Sequence, residues 1–483
     1  MTLDLRPILA VLGVLLSTLG VAMLVPATID LAEANPDWQI FATTFAVTTG
    51  TGGVLFLANR GMRGALSTRQ ALVMTATAWT TLAAFGALPY QLSGVVPGYT
   101  DAFFESMSAL STTGATVIVG LEQAPPGILI WRAIQQWLGG LGIIVMAVAV
   151  LPMLQIGGMQ LFKAEAFNTA EKILPRATQI SGSLTGVFVG FTIICAFAYL
   201  LAGMTPLDAF AHAMTTVATG GHSTHDASIA WFDSMEIEII ATVFMLAGAI
   251  PFILYVQSLQ GSLRGLLKDQ QVRLFLVLIT IFSVVAYAMA LAAAEPEGGR
   301  TFVTAAFNVT SIMTGTGYAS TDYGAWGSAS VAFFFIIMFI GGCAGSTSCG
   351  IKIFRFQVLY QIIRQHLHGM IYPHGIYVKR FNGRPINDDA ATAVLSFFFL
   401  YFLSFMVLAT ALNFTGLDLV TAYSGAGSAI SNVGPGLGDI IGPTGTYEPL
   451  NATAKWLLAI GMLIGRLELF TILVLFIPRF WRM

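Results

Sequence analysis

Charged residues are scarce in this chain. Only 10% of its 483 residues are Asp, Glu, Lys or Arg, whereas 56% are hydrophobic. Soluble domains carry about 25% charged residues, so this balance excludes an ordinary soluble globular domain. The net charge of −2 does not point to a nucleic-acid partner. With a mean hydropathy of +0.79, the chain is predicted to lie in a lipid bilayer.

Cysteine is also rare, and nucleotide-binding signatures are missing. An odd set of cysteines beside apolar runs does not form a disulfide framework: Cys195, Cys343 and Cys349. No GxxxxGK[ST] phosphate loop is present. Three histidines share one polar connection without defining a metal site: His366, His368 and His374. The sequence therefore predicts no transition-metal site.

Long runs without charge are abundant. A membrane-spanning helix needs roughly 20 mostly apolar residues, and ten such runs can be read from the sequence. They lie at 6–30, 37–60, 69–101, 132–163, 176–208, 238–264, 273–295, 322–352, 389–418 and 452–478. The first run is longer than a signal-peptide core and is followed at once by a second span, so we interpret it as a retained helix. An even number of spans places both termini on one side.

The two sides differ in charge. Most of the 22 basic residues fall on the side of the termini, which the positive-inside rule assigns to the cytoplasm. The opposite connections hold carboxylates: Asp101, Glu105, Asp208, Asp226, Asp233, Glu295, Glu297, Asp322, Asp418 and Asp439. An acidic outer mouth would raise the local cation concentration. The alternative is that these carboxylates are ordinary solvated loop residues.

Four outer connections repeat one pattern, an apolar stretch of ten to twelve residues followed by a glycine-bearing polar turn. The copies read DAFFESMSALSTTGAT from Asp101, LDAFAHAMTTVATGGHST from Leu207, VTAAFNVTSIMTGTGYAS from Val303 and VTAYSGAGSAISNVGPGLG from Val420. Each stretch is too short to span and is predicted to be a re-entrant half-helix. Asp101, Thr304 and Thr421 are predicted N-caps, and the second copy needs one residue fewer in this alignment.

The repeat defines the predicted organisation of the chain into units. We predict an all-α polytopic membrane protein with four pseudo-symmetric units of helix, re-entrant pore loop and helix. Irregular backbone at membrane depth is tolerated only where protein buries it or where it lines a water-filled cavity, so four such turns indicate one shared pore. The predicted units are two extra N-terminal helices in 1–66, then pore repeats at 67–165, 166–268, 269–384 and 385–483, the third with a broken second helix.

The turns have the chemistry of a cation site. Half-helices entering from outside direct their partly negative C-terminal ends inward, and unwound carbonyls can replace an ion's hydration shell. Glycine permits the positive φ that such turns require. The predicted ion-binding residues are Thr112, Thr113, Gly114, Ala218, Thr219, Gly220, Gly315, Thr316, Gly317, Asn432, Val433 and Gly434. Small residues also serve close helix packing, which is the competing interpretation.

Four motifs, STTGA, ATGGHST, SNVGPGLG and GRLELF, together resemble the Trk/Ktr/HKT superfamily of potassium transporters, most closely its TrkH-type members. The resemblance covers the whole chain. It implies potassium uptake across the bacterial inner membrane, K+ as the transported ion, no bound cofactor, and one filter glycine per repeat at Gly114, Gly220, Gly317 and Gly434. It also implies a homodimer and a cytosolic ring of TrkA-type nucleotide-binding subunits that controls opening. Val433 replaces the threonine of the other copies, so strict fourfold symmetry is not expected.

Two features are candidate gates. The segment GGCAGSTSCG at 341–350 has low helix propensity and is predicted to form an intramembrane loop below the filter, or else a helix-packing seam. Arg466 lies mid-span, where a charge is costly and usually functional. Glu468 is two residues away and cannot pair with it along a helix, so carbonyls or groups across the pore are the expected partners. The predicted gate residues are Gly341, Gly342, Gly345, Ser346, Gly350, Lys352 and Arg466, with Lys352 equally readable as a positive-inside residue.

Two other functions stay open at this point. A secondary transporter, including a symporter that couples K+ to another ion, also uses broken helices, but its repeats are usually inverted. An intramembrane enzyme needs positioned nucleophiles or acids within its spans, and the sequence shows no such constellation. Entry of all four loops from one face favours a pore.

Overall fold

Helices dominate because backbone polar groups in a bilayer must be satisfied within the segment. The computed structural model describes residues 3–61, 67–149, 177–293, 302–375 and 377–482. The α-helices have these bounds: α1 Arg6–Ala22, α2 Leu24–Ala32, α3 Trp38–Asn59, α4 Thr68–Gly86, α5 Leu88–Ser93, α6 Tyr99–Leu110, α7 Pro126–Ala149, α8 Ala177–Leu201, α9 Pro206–Val217, α10 Met235–Ala249, α11 Phe252–Leu259, α12 Leu263–Lys268, α13 Gln270–Ala292, α14 Phe302–Thr314, α15 Ser328–Ile337, α16 Ile353–Ile371, α17 Asp388–Asn413, α18 Leu419–Ser431, α19 Gly438–Ile441, α20 Ala452–Arg466, α21 Phe470–Leu473 and α22 Pro478–Arg482.

Within the described residues, the regular elements other than α-helices are short. Short 3-10 helices lie at Leu121–Gln123, Ser228–Phe232, Tyr323–Trp326 and Val474–Phe476. Strands β1 (Arg380–Phe381) and β2 (Arg384–Pro385) pair antiparallel in the connection after α16. Glu295, Glu297 and the predicted unit boundaries at 66 and 165 lie outside the described residues.

Seven helices of the described residues are long and apolar enough to cross a membrane, and two bent helix pairs bring the number to nine. The prediction of an all-α polytopic membrane protein is confirmed. The eighth predicted run, at 322–352, contains only the ten-residue α15 before helical structure stops. The run at 238–264 hides a bend of 93° between α10 and α11, where Pro251 supplies no N–H to continue the helix.

Four short helices enter between the spans, and we call α6, α9, α14 and α18 the pore helices. They contain 12, 12, 13 and 13 residues. Each contacts the helix before it and the helix after it in the chain. Each repeat also touches the next: α7 packs on α9, α10 on α14, Met338 lies beside Gly427 of α18, and α20 packs on α6. The repeats therefore close into a ring.

The predicted N-caps are wrong by about one turn. Asp101, Thr304 and Thr421 are each the third residue of their pore helix. The N-cap residues that accept a backbone hydrogen bond are Thr205 and Asp418, in both cases from the third residue of the helix. A capping side chain accepts from the amide of the second or third helical residue. Here that third residue is itself an Asp or Thr, so the sequence alone does not show which of the two positions is the cap.

The N-terminal helices pack outside the first repeat, with α1 against α4 and α2 against α7. Asp30 of α2 is fully buried, and its Oδ1 accepts a 2.7 Å hydrogen bond from the Gly127 amide at the start of α7. A carboxylate at a helix N-terminus is favourable because that end carries partial positive charge. This contact connects the extra helices to the pore repeats.

Candidate functional site

Each pore helix ends in the same backbone turn. The angle φ becomes positive at one residue and again two residues later, but not between them. The pairs are Thr112 and Gly114, Thr219 and Gly221, Gly315 and Gly317, and Asn432 and Gly434. This alternation of left- and right-handed conformations aims successive carbonyls to one side, as in carbonyl-lined filters. We call the turns at 112–114, 219–221, 315–317 and 432–434 the glycine ring.

A shared hydrogen bond defines the register of the four copies. The amide between the two positive-φ residues donates to the carbonyl five positions earlier, at 2.8–3.0 Å in every copy. The donor and acceptor pairs are Thr113 and Ser108, Gly220 and Thr215, Thr316 and Ser311, and Val433 and Ser428. Gly220 is therefore the counterpart of Thr113.

The second copy is thus shifted by one residue from its predicted alignment. Gly221, with φ of 78°, is the counterpart of Gly114, and Gly220 has no positive φ. Asp208 and Thr215 then share columns with Asp101 and Ser108, and no gap is needed. Ala218 moves one position below the ring. Because two glycines are adjacent, the sequence is compatible with either alignment. Only the backbone hydrogen bond shows which glycine matches Gly114.

The four turns enclose one axis. A Cβ placed on each ring glycine would overlap a carbonyl oxygen of the following turn. The overlaps run from Gly114 to Gly220, from Gly221 to Thr316, from Gly317 to Val433 and from Gly434 to Thr113. The last contact returns to the first copy, so the contacts close into a circle. Only glycine leaves room for this approach.

The interrupted segment lies against the glycine ring. Helical structure stops at Ile337 and resumes at Ile353, and we call residues 338–352 the inner loop. Thr347 accepts a 3.1 Å hydrogen bond from the Thr219 hydroxyl. The Cys349 sulfur lies 3.7 Å from the Thr112 hydroxyl oxygen. Two repeats of the ring therefore touch this loop.

The inner loop is tightly folded on itself. The Gly341 amide donates to the Ile351 carbonyl at 3.0 Å, and the Gly342 amide to the Ser348 hydroxyl at 2.8 Å. A Cβ at Gly341 would overlap the Cys349 carbonyl. The remaining predicted gate residues in the loop are also engaged: Gly345 and Gly350 have positive φ, the Ser346 hydroxyl donates to Cys343, and buried Lys352 donates to the Ser348 carbonyl.

Arg466 reaches the inner loop from the end of α20. Its Nη1 donates to the Thr347 carbonyl at 3.3 Å and lies 2.7 Å from the Cys349 sulfur, and its Nη2 donates to the Gly139 carbonyl at 3.0 Å. The side chain is buried, and no carboxylate of the described residues pairs with it. Glu468 pairs instead with Arg355. A buried positive charge thus lies against the inner loop, which itself touches the ring through Thr347.

A polar face of α7 supports the ring and was not recognised in the sequence. Arg132 Nε is 2.7 Å from Glu105 Oε1, and both side chains are buried. Arg132 Nη1 donates to the Ser223 carbonyl at 2.6 Å, so this ion pair joins the first and second copies. Gln136 Nε2 donates to the Gly220 carbonyl at 2.6 Å. The available signal was the spacing of Arg132 and Gln136, one helical turn apart in an otherwise apolar run.

Several outer carboxylates are engaged rather than free at the mouth. Asp101 Oδ1 is 2.5 Å from the Lys455 ammonium. Asp208 accepts hydrogen bonds from Thr224 at 2.6 Å and Thr205 at 2.7 Å. Burial raises the pKa of Asp208, but the His225 ring 3.4 Å away and the hydrogen bonds from Thr205 and Thr224 together outweigh burial and hold the pKa below its ordinary value. Asp208 therefore stays ionised at neutral pH.

The corrected register predicts unequal effects at the two adjacent glycines. Gly221→Ala places a methyl group at positive φ and against the Thr316 carbonyl. Gly220→Ala meets only the end of the Gln136 side chain. We expect Gly221→Ala to reduce cation flux in liposomes by about tenfold more than Gly220→Ala, because left-handed conformation alone costs an alanine about 1–2 kcal/mol. Equal losses would favour the original alignment.

A polytopic chain in which four half-helices end in one closed ring of glycine turns is a transport protein of the pore-loop class. The family model of TrkH, described as a cation transport protein, matches residues 37–483. The chain belongs to the TrkH family of cation transport proteins, which is a transporter family and not an enzyme family.

Its relatives match over nearly their full length. The chain is 43% identical to the Trk system potassium uptake protein TrkI of Halomonas elongata, over 99% of this chain and 97% of that protein. It is 38% identical to the Trk system potassium uptake protein TrkH of Vibrio parahaemolyticus, over 99% of each. The crystal structure of the potassium transporter TrkH from Vibrio parahaemolyticus superposes with a TM-score of 0.92 at 37% identity, covering 99% of this chain and 100% of that chain.

Proposed function

We propose that this protein takes up potassium across the bacterial inner membrane and that the glycine ring is its selectivity filter. The observation that most directly supports this proposal is that each ring glycine lies against a carbonyl of the next copy, so that the four contacts close into a circle. Such a circle brings carbonyls from four chain segments around one path. The similarity to named potassium uptake proteins supports K+ as the cargo.

The electrostatics suit a partly dehydrated monovalent cation. Four pore helices end at the ring, and each C-terminal end carries roughly half a negative elementary charge. The ring residues at 112 and 113, 219, 316, and 432 and 433 are buried, so solvent does not screen these dipoles. Number and field strength of carbonyl dipoles are one accepted basis for preferring K+ over Na+.

The fourth copy differs from the others in the residue that begins its turn and in the hydrogen bonds of that side chain. Asn432 stands where the first two copies have threonine, and its Nδ2 donates to the Thr113 hydroxyl at 2.9 Å and to the Met462 carbonyl at 2.8 Å. These bonds link the fourth turn to the first turn and to α20. The side chain thereby supports a left-handed conformation, with φ of 51°, that a non-glycine residue adopts at some cost.

We propose that the inner loop and Arg466 form the gate. The inner loop touches the ring at Thr112 and Thr219, so a cation leaving the ring inward must pass it. Arg466 adds a buried positive charge at the same level, which opposes cation passage. Lys352, also buried, belongs to the same gate.

Finer features belong to this proposal as well. They are a homodimer, control by a cytosolic TrkA-type nucleotide-binding ring, both termini in the cytoplasm, two N-terminal helices in 1–66, and pore repeats at 67–165, 166–268, 269–384 and 385–483. Co-purification and flux with and without the cytosolic subunit test the partner. Flux that is insensitive to that subunit would remove it from the proposal.

The function is tested by ion flux into liposomes that contain the purified protein. We expect uptake of K+ in preference to Na+ and no uptake of organic solutes. Setting a proton gradient with and against the K+ gradient separates a channel-like pore from a symporter, since only a symporter accumulates K+ on a proton gradient alone. Transport of an organic solute with no K+ flux would overturn the proposal.

Removing the Arg466 charge should increase flux. Two hydrogen bonds separate Arg466 from Thr219 of the ring, through Thr347. At about 10 Å and an effective dielectric constant of about 20, two unit charges repel by roughly 1.7 kcal/mol. We expect Arg466→Gln to raise K+ flux by about tenfold, whereas Arg466→Lys retains the charge and a low flux. Folded Arg466→Gln protein with flux no higher than the parent would exclude the gating role.

A further inference from the structure

The Gly434 carbonyl of the glycine ring is occupied by protein donors. It accepts a 2.7 Å hydrogen bond from the Tyr447 hydroxyl and a 2.8 Å hydrogen bond from the Ser428 hydroxyl. A backbone carbonyl oxygen has two lone pairs. Both are therefore used, and neither is left to coordinate a cation.

The other three copies differ at this atom. Within the described part of the chain, the carbonyls of Gly114, Gly221 and Gly317 accept no hydrogen bond. The hydroxyl equivalent to Ser428 in the third copy, Ser311, donates to the Tyr318 carbonyl instead. The blocked carbonyl is thus a feature of the fourth copy and not of the repeat.

Tyr447 is held firmly in this position. Its side chain is buried, its amide donates to the Thr116 carbonyl at 2.9 Å, and its ring packs on Phe104 with centroids 5.5 Å apart. It therefore bridges the fourth and first copies. Tyr447 and all four ring glycines line one cavity at the outer mouth.

We propose that the outermost ion position of the filter is three-sided, formed by the carbonyls of Gly114, Gly221 and Gly317 while Tyr447 and Ser428 withhold that of Gly434. This inference rests on the proposed filter function. Tyr447 is then a positioning residue that sets ion preference by acting through the Gly434 carbonyl.

A three-sided site has a specific consequence. An entering cation loses fewer waters there than in a complete ring, because three carbonyls replace fewer hydration oxygens than four. Since discrimination between K+ and Na+ depends on how many carbonyl dipoles coordinate the ion, such a site discriminates less and releases the ion more easily. Restoring the fourth carbonyl should strengthen K+ binding and preference.

Tyr447→Phe tests this inference with the loss of one hydroxyl group. The matched control is Tyr423→Phe in α18, because the Tyr423 hydroxyl makes no hydrogen bond within the described residues. Flux of K+ and Na+ into liposomes is measured over a range of concentrations. We expect Tyr447→Phe to raise the preference for K+ over Na+ by about fivefold, the factor for one hydrogen bond of ordinary net strength, mainly through a lower half-saturating K+ concentration.

Ser428→Ala frees the other lone pair of the Gly434 carbonyl and also removes the hydroxyl that accepts from the Gly434 amide at 3.1 Å. It should shift the preference in the same direction as Tyr447→Phe, so the test does not depend on one variant. A lower K+ preference in Tyr447→Phe would mean that Tyr447 merely supports the turn, and an unchanged preference would mean that the Gly434 carbonyl does not contact the ion. Either result overturns the inference but leaves the filter proposal standing if the parent protein carries K+. Absence of K+ flux in the parent would instead refute the proposed function, and this inference with it.

Discussion

Gly317→Ser is expected to remove most of the preference for K+ over Na+ while the protein still folds. At φ of 79°, a serine Cβ is strained, and it would overlap the Val433 carbonyl of the next turn. The overlap must push apart two of the carbonyl-bearing turns, and the ring then no longer matches a dehydrated K+ ion. We expect the flux ratio of K+ to Na+ to fall by at least about tenfold, which corresponds to about 1.4 kcal/mol.

A matched control separates backbone strain from disruption of the ring. Gly120 has φ of 77°, almost the value at Gly317, but a Cβ there meets nothing within 4 Å. Gly120→Ser should therefore lose similar stability through its backbone and keep the parental ion ratio. Gly114→Ser should behave like Gly317→Ser, since its Cβ would overlap the Gly220 carbonyl. Parental ratios in both ring variants would show that these turns do not select the ion.

Arg132→Gln is expected to destabilise the protein by about 3–5 kcal/mol, the usual effect of removing one partner from a buried ion pair. Glu105 is fully buried and would lose the guanidinium that lies 2.7 Å away. The Ser223 carbonyl of the second copy would also lose its donor. Thermal and denaturant unfolding of the protein in detergent measure the loss.

The double variant Glu105→Gln with Arg132→Gln should recover much of that stability, because it leaves no unpaired buried charge. An exposed pair supplies the control. Lys379 and Asp388 lie 2.6 Å apart, but the Asp388 side chain is 93% exposed. Asp388→Asn should therefore cost much less stability than Arg132→Gln, because solvent-exposed ion pairs contribute little. If Arg132→Gln were as mild as Asp388→Asn, the pair would not hold the ring together.

The sequence predicted best those features that depend on local composition. Runs of apolar residues located the spans, and ten- to twelve-residue stretches located pore helices of 12 and 13 residues. Span length and half-helix length follow from bilayer thickness and helix rise, which are independent of the neighbours. The bend of 93° between α10 and α11 was missed because the run that contains it is apolar on both sides of Pro251.

Interactions between distant segments were predicted less well. Arg132 and Glu105 are 27 residues apart, and no local pattern indicates that they pair across a pore helix. The carbonyl partners of Arg466 were expected in kind, but Gly139, 327 residues away, could not be identified as one of them. The second-copy glycine was placed at Gly220 instead of Gly221 for the same reason: side-chain identity does not determine which of two adjacent glycines has positive φ.

By itself, the sequence determined that this chain lies in a membrane and that it carries four copies of a half-helix and glycine turn. It also predicted that the four copies share one face and that the two sides differ in charge. These properties follow from hydropathy, segment length and local backbone freedom. Only the tertiary structure decided the register of the second turn, the closure of four turns into one circle, and the contacts of the inner loop and Arg466 with that circle. Those features depend on atoms brought together from positions a hundred or more residues apart, and no local pattern records such distances.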